Sequence, residues 1–235
     1  MPHKPTATYR LQFTPTFGFA DAIELVPYLH NLGITHLYAS PLLKPVSGSE
    51  HGYDVVDPSS LNPELGEEAE FQELLATLDA RGMGLILDIV PNHMAVNSQN
   101  EWWQDVLERG QRSRFAHFFD IDWERGNGRV VVPTLGDHFG TILENGELKL
   151  GIDERGLAVW YYENRFPIDP ATYAQVLVVV RNESDDTDRE SEPEFETLID
   201  LSSELDADAG SHQEIQRVGS QLGRRVWNLY NSNAT

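Results

Sequence analysis

The chain has 235 residues, 40% of them hydrophobic and 23% charged, with a formal net charge of −21 at pH 7. These fractions describe a globular protein able to bury a core in one or two domains rather than a disordered chain. The absence of cysteine removes disulfides, thiolate metal sites and a cysteine nucleophile together. Nucleic acid is excluded as a partner because the acidic balance repels phosphate and no dense basic patch offsets it. No apolar run approaches the roughly twenty residues of a membrane helix and no basic-then-apolar leader follows Met1, so the expectation is a soluble, cytoplasmic protein with no membrane partner. Lysine occurs only at Lys4, Lys44 and Lys149, while Asp and Glu are scattered throughout. That imbalance suggests a chain adapted to high salt, where screening shortens the range of self-repulsion.

In chain order, Thr6–Phe13 alternates as a first strand and Thr14-Pro15 ends it. Ala20–Leu32 sets Ile23, Val26, Leu29 and Leu32 close to a helical stripe, with Gly33 as its stop; Pro27 either kinks this helix or marks a later start. Ile34–Ser40 reads as a second short strand, and Pro41–Gly66 as a long loop without regular periodicity. Glu67–Arg81 returns to helix, with Phe71, Leu74, Leu75 and Leu78 on one face. Gly84–Val90 is a nearly unbroken apolar run, the pattern of a strand buried on both faces of a parallel sheet. Strand and helix alternating in this way predict a parallel sheet covered by helices.

Beyond Ala95 the rhythm breaks. Trp102, Trp103, Phe115, Phe118, Phe119 and Trp123 crowd one segment, where they serve as core packing or as a glycan-binding surface. Val130–Val132, Thr141–Leu143, Leu148–Ile152 and Leu157–Tyr162 read as short strands between glycine turns. Glu183–Asp208 is densely acidic, a solvated loop or a surface helix, and His212–Tyr230 carries apolar residues at helical spacing. Three parallel strands followed by an insertion do not complete a sheet, which suggests a fragment of a longer protein.

Two polar clusters stand at the ends of neighbouring strands: His51, Tyr53 and Asp54 after the second, and Asp88, Asn92 and His93 at the third. In parallel α/β proteins the loops at the carboxyl ends of strands converge on the ligand, so both clusters are expected to face one pocket. A tyrosine ring offers a platform for a pyranose face, and imidazole, amide and carboxylate groups match its hydroxyls. Two other readings stay open. Asp88 is equally suited to tying down backbone N–H groups, and His51, His93, Asp54 and Asp88 are acceptable metal ligands, although no HExxH-like spacing accompanies them.

The stretch LDIVPNHMA resembles the first conserved region of the alpha-amylase superfamily, glycoside hydrolase family 13. TATYRLQF, YASPLLKPVSGSEHGYDVVDPSSLNPELG, FFDIDWERG and YYENRFPIDPATY together resemble the N-terminal part of the maltooligosyltrehalose synthase family. The resemblance implies an α/β fold, the N-terminal part of a (β/α)8 barrel: residues 1–95 would hold its first three strands and residues 96–235 a subdomain inserted after strand three. It also implies a retaining intramolecular transglucosylation on a maltooligosaccharide, converting the reducing-end α-1,4 linkage to an α,α-1,1 linkage. Tyr53 would stack on the sugar beside the cleaved bond, His51 and His93 would bond its hydroxyls, and Asp88 would orient a downstream arginine; Asp54 and Asn92 complete the candidate substrate-binding set. No catalytic residue is expected in this chain, because the nucleophile Asp and acid Glu belong to later strands. No cofactor is implied. Asn92 contributes to a calcium site in many alpha-amylases, yet the rest of that site is not recognisable, so no metal is assigned. The rival readings are another hydrolase or transglucosylase of the superfamily, or a noncatalytic glycan-binding module using Trp102–Trp123.

Overall fold

The computed structural model describes residues 4–183, 192–207, 221 and 223–225. The helix expected over His212–Tyr230 and part of the acidic stretch therefore lie outside the described residues. The chain divides into two compact units, Met1–Glu101 and Trp102–Thr235.

In the first unit, β1 (Thr8–Leu11), β2 (His36–Ala39) and β5 (Gly84–Leu87) form a three-stranded parallel sheet in that order. The register runs Thr8, His36, Gly84 across one row and Arg10, Tyr38, Ile86 across another. Alternation along each strand sends Leu11, Leu37 and Ala39 to the opposite face. There they pack with Phe19, Ala22, Val26 and Leu29 of α1 (Phe19–Asn31) and with Leu74 and Leu78 of α2 (Glu68–Asp79). The Asp21 carboxylate accepts the Gly18 N–H at 2.8 Å and Glu70 accepts that of Glu67 at 2.8 Å, each closing a first helical turn. Helix α1 continues through Pro27 to Asn31; the missing N–H removes one rung, and the fully buried Val26 and Leu29 on either side hold the helix in place.

Two expectations for this unit are corrected. The stretch Pro41–Gly66 is not irregular: β3 (Leu43–Pro45) and β4 (Val55–Leu61) pair as an antiparallel ribbon. Register shifts on both sides of Lys44 break the period of two that would have revealed it. The strand expected over Gly84–Val90 ends at Leu87 and is not buried on both faces; Leu87 is 49% and Ile89 59% exposed. Among the described residues β5 is an edge strand, paired only with β2.

The second unit begins in α3 (Glu101–Arg109) and continues through α4 (Phe139–Glu144), the antiparallel sheet β6 (Leu148–Asp153), β7 (Gly156–Tyr161) and β8 (Asn164–Pro167), then α5 (Tyr173–Glu183) and α6 (Glu192–Ala207). Thr141–Leu143, expected as strand, lies in α4, where burying Ile142 overrides β-branched preference. Val130–Val132 forms no strand. Strand β8 and helix α5 were not expected; VLVVV in α5 carries a β-branched pattern that masks the helix. The acidic residues 192–207 fold as a helix that is more than solvated surface: Leu198 is fully buried with Leu157, Tyr173 and Leu177, and Ser202 Oγ donates to the Pro170 carbonyl while accepting the Ala174 N–H.

Polar side chains knit this unit from inside. Arg109 Nε donates to Asp105 at 2.8 Å and its NH2 to Glu108 at 3.2 Å; Ser113 Oγ also donates to Asp105. Arg165 forms a fork onto Asp153 at 2.8 and 2.9 Å and reaches Gln104. Trp103 is buried, whereas Trp102 stacks on Phe115 at 4.9 Å beside Phe118, which is 56% exposed. The aromatic segment is thus partly core and partly surface.

Candidate functional site

The row Arg10, Tyr38, Ile86 fixes what happens at the carboxyl end of the sheet. Asp88 follows Ile86 by two residues, so its side chain falls on the same face as Tyr38 and Arg10, opposite the helices. The Asp88 N–H still bonds the Ala39 carbonyl at 3.1 Å, which carries the ladder one residue past β5 and holds the carboxylate in register.

From the other side, the turn between β3 and β4 brings Tyr53. Its hydroxyl donates to Asp88 Oδ2 at 2.7 Å, Tyr38 OH reaches the same oxygen at 3.3 Å, and the Arg10 guanidinium lies 3.5 Å from it. Arg10 also donates to the Tyr53 oxygen at 3.0 Å. Every one of these contacts falls on Oδ2, so among the described residues Asp88 Oδ1 keeps its acceptor capacity open. The bond to Asp88 pushes the Tyr53 phenol up, helped by loss of solvent and opposed by Arg10. Tyr53 is 36% exposed rather than sealed in hydrocarbon.

His51 and Asp54 belong to the same turn. The Tyr53 backbone N–H donates to His51 Nδ1 at 3.0 Å, so Nδ1 must accept and the ring proton sits on Nε2, free to donate outward. The 3.7 Å approach of Nδ1 to Asp54 is therefore not a charge pair in this tautomer. Asp54 is engaged by Ser49 Oγ, and Gly52 at φ +78° lets the turn run close to the Pro41 carbonyl, where a Cβ would stand 3.1 Å away. The His51 and Tyr53 rings lie near parallel, 6.0 Å apart.

Of the six residues singled out from the sequence, the structure thus joins Tyr53 directly to Asp88 and keeps His51 and Asp54 with Tyr53. Asn92 and His93 are exposed and bond each other at 3.0 Å, with no bond to the other four among the described residues. Sequence reasoning missed Arg10 and Tyr38. The available signal was an arginine standing between Tyr9 and Leu11, one residue short of the carboxyl end of β1. Among the described residues no group of three or more His, Asp or Glu is gathered to hold a metal.

A parallel strand–helix repeat with polar side chains collected beyond the carboxyl ends of its strands is the layout of a (β/α)8-barrel enzyme. Residues 19–146 match the alpha-amylase catalytic domain, and the chain belongs to the alpha-amylase family. It is 47% identical over 161 residues to a putative maltooligosyl trehalose synthase of Mycobacterium tuberculosis, a match covering 62% of this chain and 21% of that protein. Among solved structures it resembles the maltooligosyltrehalose synthase of Arthrobacter ramosus, at 48% identity and a TM-score of 0.62 over 70% of this chain and 21% of that one. It also resembles a hypothetical maltooligosyl trehalose synthase of Sulfolobus tokodaii, at 37% identity and a TM-score of 0.62 over 76% and 24%. The chain spans about a fifth of the length of the relatives it matches.

Proposed function

We propose that this chain is the N-terminal portion of a maltooligosyltrehalose synthase, supplying part of the sugar subsite of an enzyme that moves the reducing-end α-1,4 linkage of a maltooligosaccharide to an α,α-1,1 linkage. The observation that carries the reading is the 2.7 Å bond from Tyr53 to Asp88, which joins the turn and the strand end on one face. Its support outside this chain is the likeness to relatives bearing that name. Tyr53 offers its ring to a pyranose face, His51 donates from Nε2 to a hydroxyl, and Asp88 Oδ1 accepts from a downstream arginine. Asp54 holds the turn, and Asn92 and His93 form the rim. Residues 96–235 constitute the subdomain inserted after strand three. The attacking carboxylate and the proton-donating acid that a retaining mechanism requires belong to later strands.

Incubation of the 235-residue chain with maltopentaose tests that placement: the expected outcome is no trehalose-terminated product. Turnover by this chain would show that the carboxylates have been placed wrongly. Among the described residues no helix is long and apolar enough to cross a membrane, and we place the enzyme in the cytoplasm. We read the charge of −21 as adaptation to high salt. Melting measured from low to molar KCl should rise with salt, and a flat or falling curve would contradict that reading.

A further inference from the structure

A loop tyrosine makes a useful sugar platform only if its ring is held at a fixed pitch, and the residues that hold Tyr53 can be named. One is Asp88. The other is Arg10, on the rigid first strand, which donates to the Tyr53 oxygen at 3.0 Å while standing 3.5 Å from Asp88 Oδ2. Arg10 is itself restrained: its guanidinium lies 5.0 Å from the Tyr38 ring centroid and 3.4 Å from Gln12 Oε1. The phenol oxygen thus donates to a carboxylate and accepts from a guanidinium, so swinging the side chain about χ1, which displaces that oxygen, breaks two charge-assisted bonds at once.

We infer that Arg10 is a positioning residue, a bracket from strand to turn that fixes the Tyr53 ring and the Asp88 carboxylate in the geometry a glucose ring requires. The inference rests on the glycan reading above, and its own signature is separable from it. A planar fork on a strand costs less order per bond than a lysine would, which suits a bracket of this kind.

The experiment compares the 235-residue chain with Arg10→Met, Arg10→Lys and Tyr53→Ala. It uses tyrosine labelled with ¹³C at Cζ, the Tyr53 resonance being identified by its loss in Tyr53→Phe, and titration calorimetry with maltotriose. Arg10 opposes the upward pull of Asp88 on the Tyr53 phenol, so Arg10→Met should move the Tyr53 titration to still higher pH. Affinity for maltotriose should fall about tenfold, the scale of one charge-assisted bond, and Arg10→Lys should restore both readouts in part. An unmoved Tyr53 titration and an affinity changed less than about twofold in Arg10→Met, with binding abolished in Tyr53→Ala, would overturn the positioning role alone. Unchanged binding in Tyr53→Ala would instead overturn the glycan reading, while the Tyr53 titration would still report whether Arg10 holds the ring.

Discussion

Glu108 of α3 is the group whose replacement tests the second unit most sharply. Burial pushes its carboxyl up from an ordinary 4.5 to about 7; Arg109 and Arg165 pull it down, while Asp105 and Asp169 push it further up. The buried Tyr173 phenol also faces it. Arg109 offsets only part of the burial because it is one cation serving two carboxylates, and Asp105 takes the shorter bond. An acid whose folded value is raised is favoured in its protonated form. Its contribution is complete below about pH 4.5, falls as pH rises toward about 7, and is constant beyond. At about 1.4 kcal/mol per unit the full difference is about 3 kcal/mol, reduced by the one-fifth of the side chain that water reaches. Glu108→Gln keeps an acceptor for Arg109 and removes the titration. Unit 2 of the variant should therefore match the parent near pH 4.5 and exceed it at pH 8 by about 1 to 3 kcal/mol, a rise of roughly 3 to 12 °C in melting temperature. All five tryptophans lie beyond residue 101, so their fluorescence follows this unit alone. Parallel pH curves for the two proteins, or a variant less stable at pH 8, would refute the reasoning.

Other substitutions probe separate links. Burial raises the Asp153 carboxyl, but the Arg165 fork outweighs that and holds it below the usual range. Asp153→Asn leaves the buried Arg165 short of its counter-charge and should cost about 3 kcal/mol at pH 7 by tryptophan-monitored denaturation. In the parent the same contribution should fade as pH falls through the lowered value. Tyr173→Phe removes the acceptor of the buried Leu157 N–H, bonded at 2.8 Å, and should cost about 1 to 3 kcal/mol in the same assay. Gly84→Ala would drive a Cβ into the His36 ring beside it on β2; thermal melting followed by circular dichroism should show the first unit weakened by about 1 to 3 kcal/mol.

How much was legible follows from how local each signal is. The first two strands and both helices of the first unit rest on periodicity and stop signals within single stretches, and they appear where expected within a residue or two of their ends. The β3–β4 ribbon was hidden because its bulges destroy alternation. The β7–β8 hairpin was hidden because its turn is Tyr162-Glu163, with Tyr162 at φ +51°, where a sequence signal would be Asn-Gly. At the site, Tyr53 and Asp88 could be chosen by residue type at strand ends. Arg10 and Tyr38 required the parallel register, which sets residues from three separate strands side by side and is written in no single stretch.

Calorimetric titration with maltotriose tests the central claim most directly. The unmodified chain should bind it, Tyr53→Ala should abolish binding, and Phe118→Ala, which trims the exposed ring of the second unit's aromatic surface, should leave affinity unchanged. Binding kept in Tyr53→Ala and lost in Phe118→Ala would move the sugar from the strand ends to the aromatic surface and contradict the account.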